Sequence, residues 1–570
     1  MWCKKCNVET NEDICPICGD TTIEDIPVEV YWCSCCKTPI LQAVNQSDIG
    51  TCPICGNKAK YMSSDLRPVF PQERLLLELL LGVKPHEYKE KSIWAADSRY
   101  YIDGKAINIP SKTFQEADAD DIARTLKAEE SFNTYDYFDN HVKNFIEANQ
   151  GRLHYLIDEA HNFVKEAASK FDEEHIVVSF SGGKDSTVTA DVVTKALSNP
   201  ELTHIFGNTT LEFPYTIEYA QRFNEAHEQC FWIAKNNEQD FYDVCEDIGP
   251  PARMMRWCCS MFKTGPITRI INKLYRDARI LTFYGIRKSE SVSRSKYNRI
   301  EDDAESVKIQ QQTVASPIFF WKDLDIWLYI LAENIDFNEA YRLGYDRVGC
   351  WCCPNNNQRA QFLSRIYMPE QSKKWRDFLI SFAEKIGKPD PEVYVDTGKW
   401  KARQGGNGLA SANDVKIRFT NCTTEEHAKI YRLTKPMDDD LIGMFTPFGR
   451  VAPELGQKLL NEVLVLDART NVPILSIQPF GQQGYDYAVK IRTMNVANHD
   501  DLQRMVSYQI RKFNACRKCL KCESLCKAGA ISIVGDNYYI NPDKCVRCKM
   551  CVTPKYLDGG CMMDKYLRTK

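Results

Sequence analysis

Between residues 175 and 345 the apolar positions follow two rhythms in turn. HIVVSF (175–180), THIFGN (203–208), CFWIAK (230–235) and ILTFYGI (280–286) are short, nearly continuous apolar runs. A strand covered on both faces reads this way, so each predicts a strand inside a sheet. Between the first two runs, Val188, Val192, Val193, Ala196 and Leu197 fall on one helical face. Strands alternating with helices predict an open parallel sheet with helices on its faces. Upstream, RPVFPQERLLLELLLG predicts an amphipathic helix, and IWAADSRYYIDGK a hairpin turning at Asp-Gly. Residues 116–170 are patterned as helices, whereas 366–510 mix both rhythms and carry no recognisable chemistry.

Composition changes this picture at one point. The 570 residues suggest about three to five domains of about 150 residues each. Apolar content of 44%, charged content of 26% and a net charge of −4 describe an ordinary globular chain with no global demand for nucleic acid or anionic membrane. The start, MWCKKCNVET, has no apolar signal region, and the longest apolar run, LLLELLLGV, is broken by Glu78. These features predict a cytoplasmic protein with no membrane partner. The exception is 25 cysteines. Thiols stay reduced in the cytoplasm, so this number points to metal rather than disulfides.

The cysteines are blocked: nine between Cys3 and Cys55, five in the centre and eight between Cys516 and Cys561. Cys3, Cys6, Cys15 and Cys18, then Cys33, Cys36, Cys52 and Cys55, form paired CxxC knuckles. They read as two zinc ribbons, each too small to fold without its metal, with rubredoxin-like iron as the alternative. Cys35 is an alternative ligand to Cys36. In the centre, WCC holds Cys258 and Cys259, and CWCC holds Cys350, Cys352 and Cys353. Four thiolates there suit iron–sulfur or zinc, and buried apolar cysteine is the bland alternative.

VVSFSGGKDS (177–186) places a glycine-rich turn and a lysine between a predicted strand and a predicted helix. It is not a Walker loop: Val178 stands where the first glycine belongs, and Asp185 follows Lys184. Gly182 and Gly183 let backbone amides approach an anion at a helix start. Lys184 adds a mobile positive charge, and the hydroxyls of Ser181 and Ser186 can donate to phosphate oxygens. The loop resembles that of the ATP pyrophosphatase (PP-loop) superfamily, which implies that it binds the β,γ-phosphates of ATP with magnesium. NTTLEFPYT (208–216), RWCCSMFKTGP (256–266), GIRKSESVSR (285–294), PIFFWKDLDIW (317–327) and RVGCWCCPN (347–355) resemble, in order, the phosphoadenylyl-sulfate (PAPS) reductase family. The resemblance implies anion clamps at Lys263, Arg287 and Arg294, and catalytic roles at Lys184, Asp185 and Arg287. Asn208 replaces the usual aspartate, and the reductases' terminal Glu-Cys-Gly-Leu-His segment is absent.

Two further resemblances concern the cysteines. The central CC…CxxC is similar to the signature that holds a 4Fe–4S cluster in adenylyl-sulfate reductases, which implies ligation by Cys258, Cys259, Cys350 and Cys353. The tail run Cys516, Cys519, Cys522, Cys526 is similar to bacterial ferredoxins, whose fourth cysteine serves the other cluster. That implies one 4Fe–4S cluster on Cys516, Cys519, Cys522 and Cys561, and another on Cys526, Cys545, Cys548 and Cys551. Lys527 in place of proline and a longer last gap depart from the pattern.

The expected chain is therefore α/β. Zinc ribbons occupy 1–20 and 30–60, and a small α+β and helical linker region 61–170. A doubly wound parallel-sheet PP-loop domain of the adenine-nucleotide α-hydrolase type follows at 171–365. A mixed α/β region lies at 366–510 and a ferredoxin-like α+β domain at 511–570. Two or three 4Fe–4S clusters, zinc and magnesium–ATP are the expected cofactors. The expected activity couples adenylylation to sulfur transfer or reduction, with an electron-donor protein as partner and nucleic acid as one conceivable sulfur acceptor. The alternatives are a reductase of adenylyl sulfate or PAPS to sulfite, and a nucleic-acid-binding or redox-sensing regulator.

Overall fold

The structure is a computed structural model that describes residues 2–3, 6, 8–9, 14–22, 26–44, 50–96, 99–227, 230–276, 278–292, 294–302, 312–481, 486–553 and 561–569. Ser293, within one of the motifs quoted above, lies outside the described residues.

The four apolar runs form strands β1 (Ile176–Phe180), β2 (Thr203–Asn208), β3 (Phe231–Lys235) and β4 (Ile280–Phe283), joined by β5 (Gln312–Ala315). They pair in parallel in the order β3-β2-β1-β4-β5, with the short strand Ile300–Glu301 antiparallel at the edge. Val178, Phe180, Leu281 and Phe283 are all but inaccessible to solvent, as continuous apolar runs require. Helices α1 (Lys184–Leu197), α2 (Pro214–Ala226), α3 (Gly265–Tyr275) and α4 (Asp323–Ala332) flank this sheet or its ends. The strand order reverses between β1 and β4. Ligands of doubly wound sheets bind outside the carboxyl ends of the strands at such a point.

The upstream predictions fold as read. Pro71–Leu81 is helical and ends at left-handed Gly82. Arg99–Ile102 and Lys105–Asn108 form a hairpin across Asp103 and Gly104, both at positive φ. This region is welded to the parallel-sheet domain by buried charge. Glu73 is fully buried and takes Arg67 Nη1 at 2.5 Å, Arg359 Nη2 at 2.5 Å and the Tyr100 hydroxyl at 2.8 Å. Burial would push its carboxyl up, but the two guanidinium groups outweigh this and hold it below the usual range. Asp346 binds the same two arginines from the other side, at 2.6 and 3.0 Å.

Residues 366–510 resolve into two parts. A helical part begins with Pro369–Lys385, and a six-stranded antiparallel sheet spans Phe419 to Thr493. Helix α5 (His499–Ala515) lies on that sheet through Leu502, Val506, Ile510 and Phe513. The expected boundary at 511 therefore falls inside a helix. Beyond it, Ile531, Ile533, Tyr538 and Ile540 join the core of the sheet region, while Cys519, Cys561, Met563 and Leu567 join a core with Trp257, Met261 and Trp400. Gly405 and Gly406 lie against the carbonyls of Arg568 and Leu567, where a Cβ would stand 2.1 and 2.5 Å from the oxygens. The tail is thus part of two cores rather than a bead on a string.

Glu73→Gln removes the anion that two buried arginines share. A loss of about 3–5 kcal/mol is expected, the scale for breaking a buried ion pair, read by denaturant unfolding against the unaltered protein. A change below about 1 kcal/mol would show the network to be dispensable.

Candidate functional site

The glycine turn sits at the carboxyl end of β1. Gly182 has φ +70°, and a Cβ there would meet the Thr216 methyl at 2.7 Å. Only glycine suits both the conformation and the contact. Asn338 Nδ2 donates to the Gly182 carbonyl at 3.1 Å and to Thr216 Oγ1 at 2.8 Å, fastening the turn to the FPYT segment. From the other side Gly285, just after β4, approaches so closely that a Cβ would be 2.6 Å from the Asp185 carbonyl. Helix α1 begins at Lys184 with no side-chain cap, so its first amides face the crevice. One of them, that of Lys184, donates to the Tyr341 hydroxyl at 3.0 Å.

The site's charges are locked together. Lys184 is not the mobile cation expected from sequence: it is 4% exposed, with Nζ 3.0 Å from Asp323 Oδ1 and 3.3 Å from Asp185 Oδ2. A lysine at the first turn of a helix whose base is crowded by α4 turns inward toward carboxylates. Arg287, equally buried, donates Nε to Asp185 at 2.5 Å and Nη2 to Asp323 at 2.7 Å. Burial would raise the Asp185 carboxyl, but Arg287 and Lys184 overcome it and hold the group at about 2. Asp65, from the upstream region, caps α4 by accepting from the amides of Asp323 at 2.8 Å and Leu324 at 3.1 Å. Burial first, then the Asp323 charge, lift its carboxyl to about 6. Sequence reasoning missed Asp65, Asp323, Asn338 and Tyr341, though Asp323 lies inside a quoted motif.

The remaining predicted residues divide. Ser181 is exposed at the turn, whereas Ser186 is buried, accepts from the Ser181 amide at 3.1 Å and donates to the Gly183 carbonyl at 2.8 Å. Ser186 therefore braces the turn rather than facing an anion. Arg294 is ion-paired with Glu290. Lys263 is exposed on the Cys258–Cys259 segment.

That segment is a helical turn at Trp257–Cys259 running into a π-helical stretch, Ser260–Thr264, ahead of α3. Wide turns of this kind gather at functional sites. Cys350 forms a β-bridge with Glu212, and the Trp351 amide donates to the Leu211 carbonyl. The fold so brings Cys350 and Cys353 to Cys258 and Cys259. Cys258 lies within electrostatic reach of Cys259, Cys350 and Cys352. The hydrogen bond from Cys258 draws Cys259 down to about 5 against burial, aided by Arg256, whose Nη2 is 3.5 Å from its sulfur. Burial, then Glu212, push Cys350 up to about 12. Thr209 Oγ1 is 3.5 Å from Cys350 Sγ, and Thr209 and Glu212 belong to the segment whose Thr216 packs on Gly182. Loop and central thiols thus share one wall.

Two other cysteine groups close more tightly. The sulfurs of Cys3, Cys6, Cys15 and Cys18 lie within 4.8 Å of one another, as do those of Cys33, Cys36, Cys52 and Cys55. Either set can hold a metal ion. Cys36, not Cys35, completes the second set, and Cys35 is exposed. In the tail, Cys519 neighbours Cys516, Cys522 and Cys561, while Cys545 neighbours Cys526 and Cys548. Cys526, Cys545, Cys548 and Cys551 line one small cavity. Among the described residues, no helix is long and apolar enough to cross a membrane.

Residues 175–356 match the phosphoadenosine phosphosulfate reductase domain family. An uncharacterized protein of Methanocaldococcus jannaschii is 30% identical over 282 residues, 49% of this chain and 57% of the relative. A second from that organism is 29% identical over 264 residues, 46% of this chain and 60% of the relative. The chain thus spans about three fifths of the length of these two relatives. The adenosine 5'-phosphosulfate reductase of Neisseria meningitidis is 27% identical over 203 residues, covering 35% of this chain and 75% of that enzyme. Among solved structures, the phosphoadenylyl-sulfate reductase of Candida auris is similar at 19% identity and TM-score 0.28, over 36% of this chain and 96% of its own.

Cys36→Ser is expected to release one equivalent of bound metal per chain, and Cys35→Ser none, by elemental analysis of the purified proteins. Equal losses would overturn the assignment of Cys36.

Proposed function

We propose that this PAPS-reductase-type domain is an adenine-nucleotide enzyme whose turn, Ser181–Ser186, holds the β,γ-phosphates of magnesium–ATP and whose four central thiols carry an iron–sulfur centre beside it. The carrying observation is the shared wall: Thr216 seats Gly182, and Thr209, on the same segment, touches Cys350. In this reading an incoming phosphate displaces Asp185 and Asp323 from Lys184 and Arg287, and the freed cations stabilise the charge on the departing pyrophosphate. A substrate oxygen attacks the α-phosphorus and pyrophosphate leaves; a sulfur nucleophile then displaces AMP from the adenylylated substrate, or two electrons from the donor protein reduce it with release of AMP.

The grouping of four thiols supports clusters at the centre and tail: Cys259, Cys350 and Cys352 act on Cys258, and Cys561, Cys522 and Cys516 act on Cys519. Among the described residues, the N-terminal quartets close to the separation that suits one ion, as in zinc ribbons. The tail stands next in line. A Cβ on Gly265 would meet Leu520 at 2.5 Å, and Ser260 Oγ donates to Met562 Sδ at 3.6 Å. The quartet Cys516, Cys519, Cys522 and Cys561 thereby adjoins the central thiols, and the quartet containing exposed Cys548 lies beyond it. That order suits electrons passing from a donor protein at the surface to the crevice.

The relatives named adenosine 5'-phosphosulfate reductase favour a second reading, reduction of adenylyl sulfate to sulfite. ATP–pyrophosphate exchange separates the two. Exchange activity that Lys184→Ala and Gly183→Val lower by about 10²-fold or more, with unchanged circular dichroism, is expected of the first. The side chain added by Gly183→Val would press on Tyr341 and Val348, whose nearest atoms are already 3.3 and 3.4 Å from a Cβ. Sulfite release from adenylyl sulfate without any exchange would establish the second.

A further inference from the structure

Lys512 is a fully buried lysine on α5, four residues before the first tail cysteine. Its Nζ donates to the Cys551 carbonyl at 2.6 Å and lies 5.4 Å from the centre of the Tyr538 ring. Among the described residues no carboxylate forms an ion pair with it. The groups that act on its charge are instead thiols of both tail quartets: Cys522, Cys561 and Cys516 of one, Cys551 of the other. A buried ammonium without an anion is costly. One carbonyl leaves two of its protons to be accounted for. Next to it, the Tyr538 hydroxyl is also buried and meets no oxygen or nitrogen acceptor; the Cys522 thiol is the group within its hydrogen-bonding reach. Two donors short of an anionic acceptor therefore meet between two sets of sulfurs.

Iron–sulfur clusters ligated by four thiolates are anionic and accept hydrogen bonds at sulfur. They supply what both donors lack. We propose that Lys512 is the counter-ion shared by the two tail clusters, set between them to raise both reduction potentials. The proposal rests on reading the tail quartets as iron–sulfur sites. A fixed positive charge stabilises the reduced, more negative form of each cluster, and does so strongly where water is excluded. Because Lys512 belongs to the helix on the antiparallel sheet, that sheet acquires a role: it delivers a charge into the electron path. The residue is a positioning and tuning group and touches no substrate.

The experiment compares the full-length protein with Lys512→Met and Lys512→Arg, all purified anaerobically. Iron and sulfide analysis comes first, then redox titration followed by electron paramagnetic resonance. Lys512→Met is expected to lower the reduced-to-oxidised ratio of both tail clusters about tenfold at fixed potential, about 59 mV for one electron. Lys512→Arg should leave the ratio near that of the unaltered protein. Tail clusters present in all three proteins with unmoved potentials would overturn the role while leaving the cluster reading intact. Zinc in the tail of the unaltered protein, without iron and sulfide, would sink the cluster reading and the proposal with it. If Lys512→Met loses its clusters, Lys512→Arg decides. Retention in Lys512→Arg supports the counter-ion, and loss in both assigns Lys512 to packing and overturns it.

Discussion

The carboxylate of Asp323 is the point on which the crevice site turns. Lys184 and Arg287 both end on its Oδ1, at 3.0 and 2.7 Å. The two cations come from opposite sides of the strand-order reversal, one after β1 and one after β4. Without a shared anion they would repel each other in a poorly solvated space. Asp65 fixes the helix that presents Asp323 by capping its first turn. The upstream region is thus structurally committed to the crevice, a role that no motif in it announces. Both cations of the site are thus paired with Asp185 and Asp323.

Buried charge recurs as the joining device elsewhere. Glu73 and Asp346, with Arg67 and Arg359, tie the hairpin region to the strand-end segment that leads into Cys350. Such pairs add little net stability compared with apolar packing, but they tolerate few alternative arrangements. The crevice needs cysteines and cations from several separate stretches in fixed relation. Directional contacts meet that need better than an oily seam would.

What could be read in the sequence follows from how each element is covered. Strands β1 to β4 were legible because parallel strands packed on both faces are apolar throughout, and the Gly182–Gly183 turn because its context is a strand and a helix. The antiparallel sheet was not legible. Pro473–Pro479 begins and ends in proline, and Ala428–Arg432 interleaves charges with apolar residues, so neither shows a clean rhythm. Lys512 sits beside Arg511 in a charged amphipathic helix and reads as a solvated face. Only the tertiary fold reveals that it points into the core. Lys184 misled in the same way, since sequence gives its position but not the carboxylates waiting from α4. In the second N-terminal cysteine set Cys35 and Cys36 are adjacent, and the folded geometry places Cys36, not Cys35, with Cys33, Cys52 and Cys55.

The contact of Gly405 and Gly406 with the carbonyls of Leu567 and Arg568 has a consequence for biosynthesis. The core around Trp257 and the central thiols takes in Cys561, Met563 and Leu567, which follow Trp257 far along the sequence. A ribosome must finish that stretch before this core can close. The parallel sheet ends at Ala315 and can condense earlier in synthesis, whereas the core beside the central cysteines waits for residues as far on as Leu567. The centre and the tail therefore complete their packing together, so a chain interrupted before Cys561 would leave the central thiols without part of their cover.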